Sequence, residues 1–476
     1  MKFIGRKKEL EILERLRLKN TSSMAVIWGR RRIGKSRLID EFLKKKKAWI
    51  FSGLPPTTTI THQEQINVFA GQMARNIGMP ELKTSDWGEV FWHLGNQSEK
   101  ESHLVIVLDE ISWIASKDSN FLGYLKTEWD RSFSKHPNLI FILCGSVSSW
   151  IEKNILSNTG FLGRISIKLE VKELLLPECN EFWSLQNSRI SGYEKLKILG
   201  ITGGVPKYLE EIIPGESAEK NISSLCFTPS GLLFREYDQI FSDLFLKRAP
   251  TFDKIIKILS DGSKNLTEIC KDLEMDKSNV CDYLHELVVS GYVSEDITWN
   301  IKNKKSSNLK KFRLKDNYIR FYLNFIFPNK SRIENGIFFD NSLSNLSGWE
   351  IILGYQFENL VINNLVKLYE LIGIDIHQVE QAGPFFQKKT AKNSGCQIDL
   401  LIQTKFGTLY VCEMKFYMSE VKKQVVQDVE TKITRLVCPK GYSIRPILIH
   451  VNGVTQGVKE SGFFDKIIDF NDLLGE

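Results

Sequence analysis

A chain of 476 residues is too long for one hydrophobic core, so two to four domains are expected. With 42% hydrophobic and 25% charged residues, intrinsic disorder is excluded, and apolar runs no longer than a strand exclude a membrane-spanning helix. The formal charge of +7 permits nucleic-acid contact and fits a merely lysine-rich composition equally well. None of the eight cysteines is spaced as C-x2-C, so they read as buried free thiols of a reducing compartment, not as a zinc site or disulfide framework. The first residues lack a signal-peptide core, and a cytosolic protein is expected.

The first region, residues 1–169, alternates short apolar strands with helical stretches, the pattern of an α/β domain built on a parallel sheet. Strands are expected at 24–28, 48–52, 104–108 and 139–144. Between the first of these and a helical stretch lies Gly29-Arg30-Arg31-Arg32-Ile33-Gly34-Lys35-Ser36, the P-loop pattern G-x4-G-K-[ST] in its strand–loop–helix context, with Arg37 following. The two glycines let backbone wrap a phosphate chain, and the loop amides point at the anion. Lys35 is expected to reach the β- and γ-phosphates and Ser36 to ligate Mg²⁺, so the cofactors are ATP and Mg²⁺.

The apolar run 104–108 ends in Asp109-Glu110. Asp109 is expected to hold the Mg²⁺ hydration shell, and Glu110 to orient or deprotonate the attacking water. The strand at 139–144 ends at Gly145-Ser146, where Ser146 is either a γ-phosphate sensor or a helix N-cap. Arg164, flanked by Gly160 and Gly163, is either an arginine finger, acting in cis or in trans, or a solvated surface arginine.

Phe3-Ile4-Gly5-Arg6-Lys7-Lys8-Glu9-Leu10 together with the P-loop resembles the archaeal-type ATPase family, a branch of the signal-transducing STAND ATPases close to the AAA+ class. The resemblance covers roughly the first half of the chain. It implies that Ile4 and Gly5 lie near the adenine. It also implies that Gly203-Gly204-Val205-Pro206, in a helical lid at 170–247, closes over the nucleotide and reports its state. Composition supports a plain interhelical turn there equally.

Residues 248–328 read as a winged helix-turn-helix. Two short helices run over 265–273 and 276–287, with Thr267 and Ser278 near their caps, and a strand opens at Gly291-Tyr292-Val293. The following wing carries Lys302, Lys304, Lys305, Lys310, Lys311, Arg313 and Lys315. DNA is the expected partner, with the second helix in a groove and the wing on phosphates. The other reading is a structural lever, and Asp276, Asp282 and Glu286 on the helix weigh toward it.

Residues 329–476 hold a second chemical pattern. Glu358 falls on a helix, Asp399 on a strand, and Glu413-Met414-Lys415 on the next strand after a short turn. Glu413 and Lys415 are two apart and face one side of the sheet, with Asp399 across the hairpin. Two carboxylates with a lysine make a hard-oxygen site for Mg²⁺ beside a charge for phosphate. The pattern resembles the core of the PD-(D/E)xK, restriction-endonuclease-like fold. That resemblance implies that Asp399, Glu413 and Glu358 bind metal and that Lys415 positions or activates the attacking water.

The expectation is therefore a P-loop ATPase controlling a nuclease-like domain, with DNA as partner, no membrane contact, and room for a protein trigger and a homo-oligomer. Two rivals remain: a nucleotide switch with a non-cleaving assembly domain, and a winged-helix DNA-binding regulator.

Overall fold

The computed structural model describes residues 3–55, 59–183, 189–245, 249–338, 343–391 and 394–475. The boundary expected between 247 and 248 lies outside them. Contacts divide the chain into two compact units, Met1–Glu173 and Leu174–Glu476.

The first unit is built on five parallel strands, β1 (Ser23–Trp28), β2 (Ala48–Ser52), β3 (Leu104–Asp109), β4 (Leu139–Gly145) and β5 (Ile165–Glu170), in the order β2-β3-β4-β1-β5. The four strands expected from sequence are present. The middle ones, β1, β3 and β4, are buried nearly throughout, as parallel strands covered on both faces must be. β5 escaped the sequence reading. It is an edge strand of alternating burial, with Ser166, Lys168 and Glu170 turned outward, so it lacks the continuous apolar run of the others. Helix Lys35–Leu43 follows β1 and buries Lys35, Leu38, Ile39 and Phe42, a stripe at helical spacing. One side of the core is aromatic: Phe51 stacks on Phe69 at 4.3 Å, and Trp87 meets Phe121 edge-on at 4.8 Å.

The second unit begins with helices, among them Gly192–Thr202, Pro206–Leu209 and Ala218–Cys226, as expected for that stretch. The winged helix follows: helices Ala249–Ser260, Leu266–Leu273 and Lys277–Val289, then the hairpin of β6 (Val293–Trp299) and β7 (Ser306–Leu314). The cap residues are Asn265 and Asp276, with Thr267 and Ser278 near them as expected. Asn265 accepts from the Glu268 amide and Asp276 from the Asn279 amide, leaving Thr267 and Ser278 at the second helical positions. Asn and Asp outcompete the hydroxyls because each is the last extended residue before its helix.

A second sheet of five strands closes the chain: β8 (Val379–Gln387), β9 (Cys396–Thr404), β10 (Thr408–Lys415), β11 (Ser443–His450) and β12 (Lys466–Asp469), in the order β12-β11-β10-β9-β8. β8, β9 and β10 are antiparallel to one another, whereas β10, β11 and β12 run parallel. Helix Gln424–Arg435 buries Val425 and Val429 against this sheet.

The wing is docked on this sheet. Trp299 Nε1 donates to Gln403 Oε1 at 2.6 Å, and Gln403 Nε2 donates to the Ile301 carbonyl at 2.9 Å. Trp299 and Ile301 enter the same apolar core as Phe385, Ile398 and Val411. Lys304 pairs with Glu380 and Lys310 with Glu295. Arg313 is buried, while Lys302 and Lys305 are exposed. A wing free to lay all its lysines on phosphates is thereby corrected, because two of them are already neutralised within the fold. Of the cysteines, Cys281 is exposed rather than buried.

Candidate functional site

The phosphate loop leaves β1 at Gly29, whose φ is 153° and whose missing Cβ would lie 2.3 Å from the Val171 carbonyl oxygen. Only glycine fits that approach. Gly34, at φ 92°, closes the loop onto helix Lys35–Leu43, and Arg32 also sits in the left-handed region at 63°. Lys35, almost wholly buried, donates from Nζ to the carbonyls of Gly29 (2.9 Å) and Arg30 (3.1 Å). Two arginines brace the loop, Arg30 from within it and Arg6 from outside. Arg30 pairs with Glu173 at 2.7 Å. Arg6 donates to the Ile33 carbonyl at 2.9 Å and to the Lys172 carbonyl at 2.5 Å.

The expected magnesium residues come together. Ser36 Oγ donates to Asp109 Oδ2 at 3.2 Å, bringing together the hard oxygen donors that Mg²⁺ prefers. Asp40, four residues beyond Ser36 on the same helix, is raised by burial and by the Asp109 charge, which marks it as a neighbour of the site that sequence reasoning missed. Burial and Asp109 likewise push the Cys144 thiol well up.

Glu110 stands in the left-handed region at φ 50°, the kind of local strain that collects at functional sites. Its Oε2 accepts from both the amide (3.2 Å) and the hydroxyl (2.9 Å) of Ser146. Ser146 therefore sits beside Glu110, and it is not the N-cap of helix Ser148–Ile151, whose cap position is Val147.

Arg164 does not join this cluster. It precedes β5, whose first residue Ile165 pairs with Met24, whereas Glu170 pairs with Trp28 at the loop end. It thus lies at the far end of the sheet from Gly29, about 15–20 Å away at strand rise. It forms a two-pronged pair with Asp130, both contacts 2.7 Å, and holds that carboxyl down to about 2. Here it is engaged by Asp130 and stands apart from the phosphate loop of its own chain. Pro206 opens helix Pro206–Leu209 in the second unit, after Gly203 at φ 54°.

In the second unit the register brings the other set together. Cys412 pairs with Leu400, and one step further along lie Glu413 and Asp399. Glu413 is fully buried and held by two lysines: Lys415 Nζ at 2.7 Å from Oε1 and Lys432 Nζ at 2.6 Å from Oε2. Lys432 also reaches Asp399 at 3.4 Å, and Asp399 Oδ2 accepts from the Met414 amide at 3.0 Å. Burial and then the Glu413 charge raise the Asp399 carboxyl. Burial, reinforced by Asp399, pushes Glu358 up to about 7. Lys415 and Lys432 are held above the usual lysine range because their carboxylates outweigh the opposing effect of burial.

Lys432 and Arg320 lie beside this cluster without having been expected there, and Arg313, expected in the wing, lines a cavity with Glu358 and Asp399. Lys432 comes from helix Gln424–Arg435, and nothing in a solvated helical pattern distinguishes it. Among the described residues no group of three or more His, Cys, Asp or Glu side chains is gathered for a metal ion, although Glu358 and Asp399 line one cavity. The donor chemistry of Asp399 and Glu413 suits Mg²⁺, but a cation there competes with two ammonium groups.

Fold and loop together define a P-loop ATPase of α/β type, joined to a winged helix. Residues 3–212 match the family described as an ATPase domain predominantly from Archaea, and residues 251–295 match the arsR family of bacterial regulatory proteins. The chain carries an archaeal-type ATPase domain, which binds ATP, and an ArsR-type winged helix.

An uncharacterised protein of Methanocaldococcus jannaschii is 26% identical over 373 residues, 78% of each chain. An uncharacterised ATP-binding protein of the same organism is 49% identical over 45 residues, 10% of this chain and 76% of that one. The solved Walker-type ATPase of Pyrococcus abyssi superposes with a TM-score of 0.53 at 18% identity, over 67% of this chain and 96% of that one, a likeness of fold. No helix among the described residues is long and apolar enough to cross a membrane.

Proposed function

We propose that the chain is a regulatory ATPase that governs a nucleic-acid-directed second unit, in which the Asp399/Glu413/Lys415 face is a Mg²⁺-dependent deoxyribonuclease centre serving DNA defence or processing. The observation that carries this is that Asp399 and Glu413, next after the last paired residues Leu400 and Cys412, share Lys432, with Lys415 two residues on along the same strand face. The division into ATPase core (1–169), helical lid (170–247), winged helix (248–328) and nuclease-like domain (329–476) belongs to this reading.

In the ATPase, the amides of residues 29–36 and the Lys35 ammonium hold the phosphates, with Arg37 at the loop helix. Ser36 and Asp109 would hold Mg²⁺, which when bound neutralises charge on the transferring phosphate. Glu110 orients and deprotonates the attacking water, and Ser146 holds its carboxylate in place. Arg164 leaves Asp130 to act on a neighbour's nucleotide in a homo-oligomer, and Pro206 marks the lid segment that follows nucleotide state. In the second unit Asp399 and Glu413, with Glu358 behind them, would hold Mg²⁺ once Lys432 swings away. Lys415 then positions the attacking water.

The test is cutting of DNA in Mg²⁺ and ATP by the wild type, Asp399→Ala and Lys35→Ala. Asp399→Ala should abolish cutting and keep ATP hydrolysis, whereas Lys35→Ala should lose both. Hydrolysed ATP beside intact DNA and RNA under every divalent metal rejects the nuclease.

One observation favours a second reading. Both oxygens of Glu413 are already engaged by lysines, which suits a STAND-type switch that answers a protein trigger and uses a non-cleaving second unit for assembly.

A further inference from the structure

Beside Asp399 lies a polar cavity of about 110 Å³, lined among others by Lys311 and Arg313 of β7, by Arg320, by Tyr355 and Glu358 of helix Trp349–Ile362, and by Asp399 itself. At ~30 Å³ per water in the liquid, this is room for about four water-sized groups. That is the size of one tetrahedral oxyanion. Pockets for nucleoside-sized ligands start at about 300 Å³.

Three cations, Lys311, Arg313 and Arg320, and three carboxylates, Asp296, Glu358 and Asp399, line the cavity. Arg313 grips Asp296 through Nε (2.7 Å) and Nη2 (3.1 Å), so that pair is closed. Asp399 is met by Lys432 and by the Met414 amide. Glu358 also lines the cavity, and its charge acts on Arg320. Among the described residues the other two cations sit in no ion pair with a carboxylate. Lys311 meets the Gln397 amide oxygen at 3.4 Å and the face of Phe386, not a carboxylate. Arg320 is 1% exposed and donates from Nη2 to the Leu314 carbonyl at 2.9 Å. Its guanidinium lies over Tyr355 at 5.0 Å, and its Nε has no hydrogen-bond partner. A charged donor buried and left idle is costly, and a planar guanidinium fits phosphate oxygens.

We propose that this cavity binds a phosphate monoester, the terminal phosphate of a nucleic-acid strand brought to the Asp399 face. This rests on the nucleic-acid-directed reading of that face and makes strand ends its substrate class. The neighbouring Asp399 then lies next to the end of the strand rather than at an arbitrary internal link.

The experiment measures binding of the full chain, in EDTA to prevent cutting, to a labelled single strand bearing a 5′-phosphate, a 3′-phosphate or only hydroxyl ends, with inorganic phosphate as competitor. One phosphorylated end should bind about tenfold tighter than hydroxyl ends or better. Inorganic phosphate should erase that preference, as should Arg320→Met and Lys311→Gln. Lys311 is partly exposed, so its variant keeps the test alive if Arg320→Met fails to fold. Equal binding of all three strands overturns the proposal, and so does phosphate binding without an end preference. Cutting that requires Asp399 but shows no end preference removes the cavity alone. An end preference on DNA that no metal lets the protein cut removes the nuclease alone.

Discussion

Lys35 in the first unit and Lys415 in the second both reach back toward a catalytic-looking motif, but what they meet differs. Lys35 rests on two neutral carbonyls, at 2.9 and 3.1 Å. Lys415 rests on a full carboxylate at 2.7 Å, and Lys432 holds the other oxygen of the same group. A lysine held by carbonyls keeps its whole charge for an arriving phosphate. One held by a carboxylate has spent most of it, and the site must be reopened before it can act. The first site is poised and the second is latched.

The largest effect should come from breaking the latch. Glu413→Ala leaves two partly buried ammonium groups without their shared carboxylate and should destabilise the second unit by about 3 kcal/mol, read by chemical denaturation. Survival of full stability would mean the lysines relax freely and no latch exists. Next, Lys35→Ala should lower ATP hydrolysis by about 100-fold or more, with little change in melting, since its partners are carbonyls that water can satisfy.

Third, Gly29→Ala forces a Cβ against the Val171 carbonyl and should cost about 2 kcal/mol or more of first-unit stability. A fourth test uses pH. Glu358 titrates near 7 in the folded chain against 4.5 when free, so between those values the folded state binds more protons. Second-unit stability should therefore fall as pH rises from about 4.5 to 7 and level off above. Glu358→Gln should flatten that slope, and an unchanged slope would place the titration elsewhere. The smallest effect should be that of Arg164→Ala. Its pair with Asp130 is exposed, so unfolding midpoints should barely move. If hydrolysis nevertheless collapses and is restored by mixing with Lys35→Ala chains, the arginine acts across a subunit boundary.

The two regions were also unequally legible in the sequence. β1, β3 and β4 announced themselves because strands buried on both faces are written as unbroken apolar runs, and Lys35, Ser36 and Asp109 because loop chemistry fixes their spacing. β5 did not, since an edge strand needs only one apolar face. In the second unit Asp399, Glu413 and Lys415 could be placed from the hairpin alone. Lys432 could not, because its approach depends on how a whole helix is laid across the sheet. Arg313 was visible as one more basic residue of the wing, yet its place beside Glu358 and Asp399, like that of Arg320, arises only from the folding of the chain. The lysines of the wing misled, because charge in a sequence does not say which charges the fold has already paired.

The hydrogen bonds from Trp299 to Gln403 and from Gln403 back to Ile301 have a consequence for how such a chain can be taken apart. Cutting before residue 329 would bare Trp299 and Ile301 on one fragment and Phe385 on the other, two sticky faces that water will not tolerate. Winged helix and second sheet can be exchanged only as one cassette.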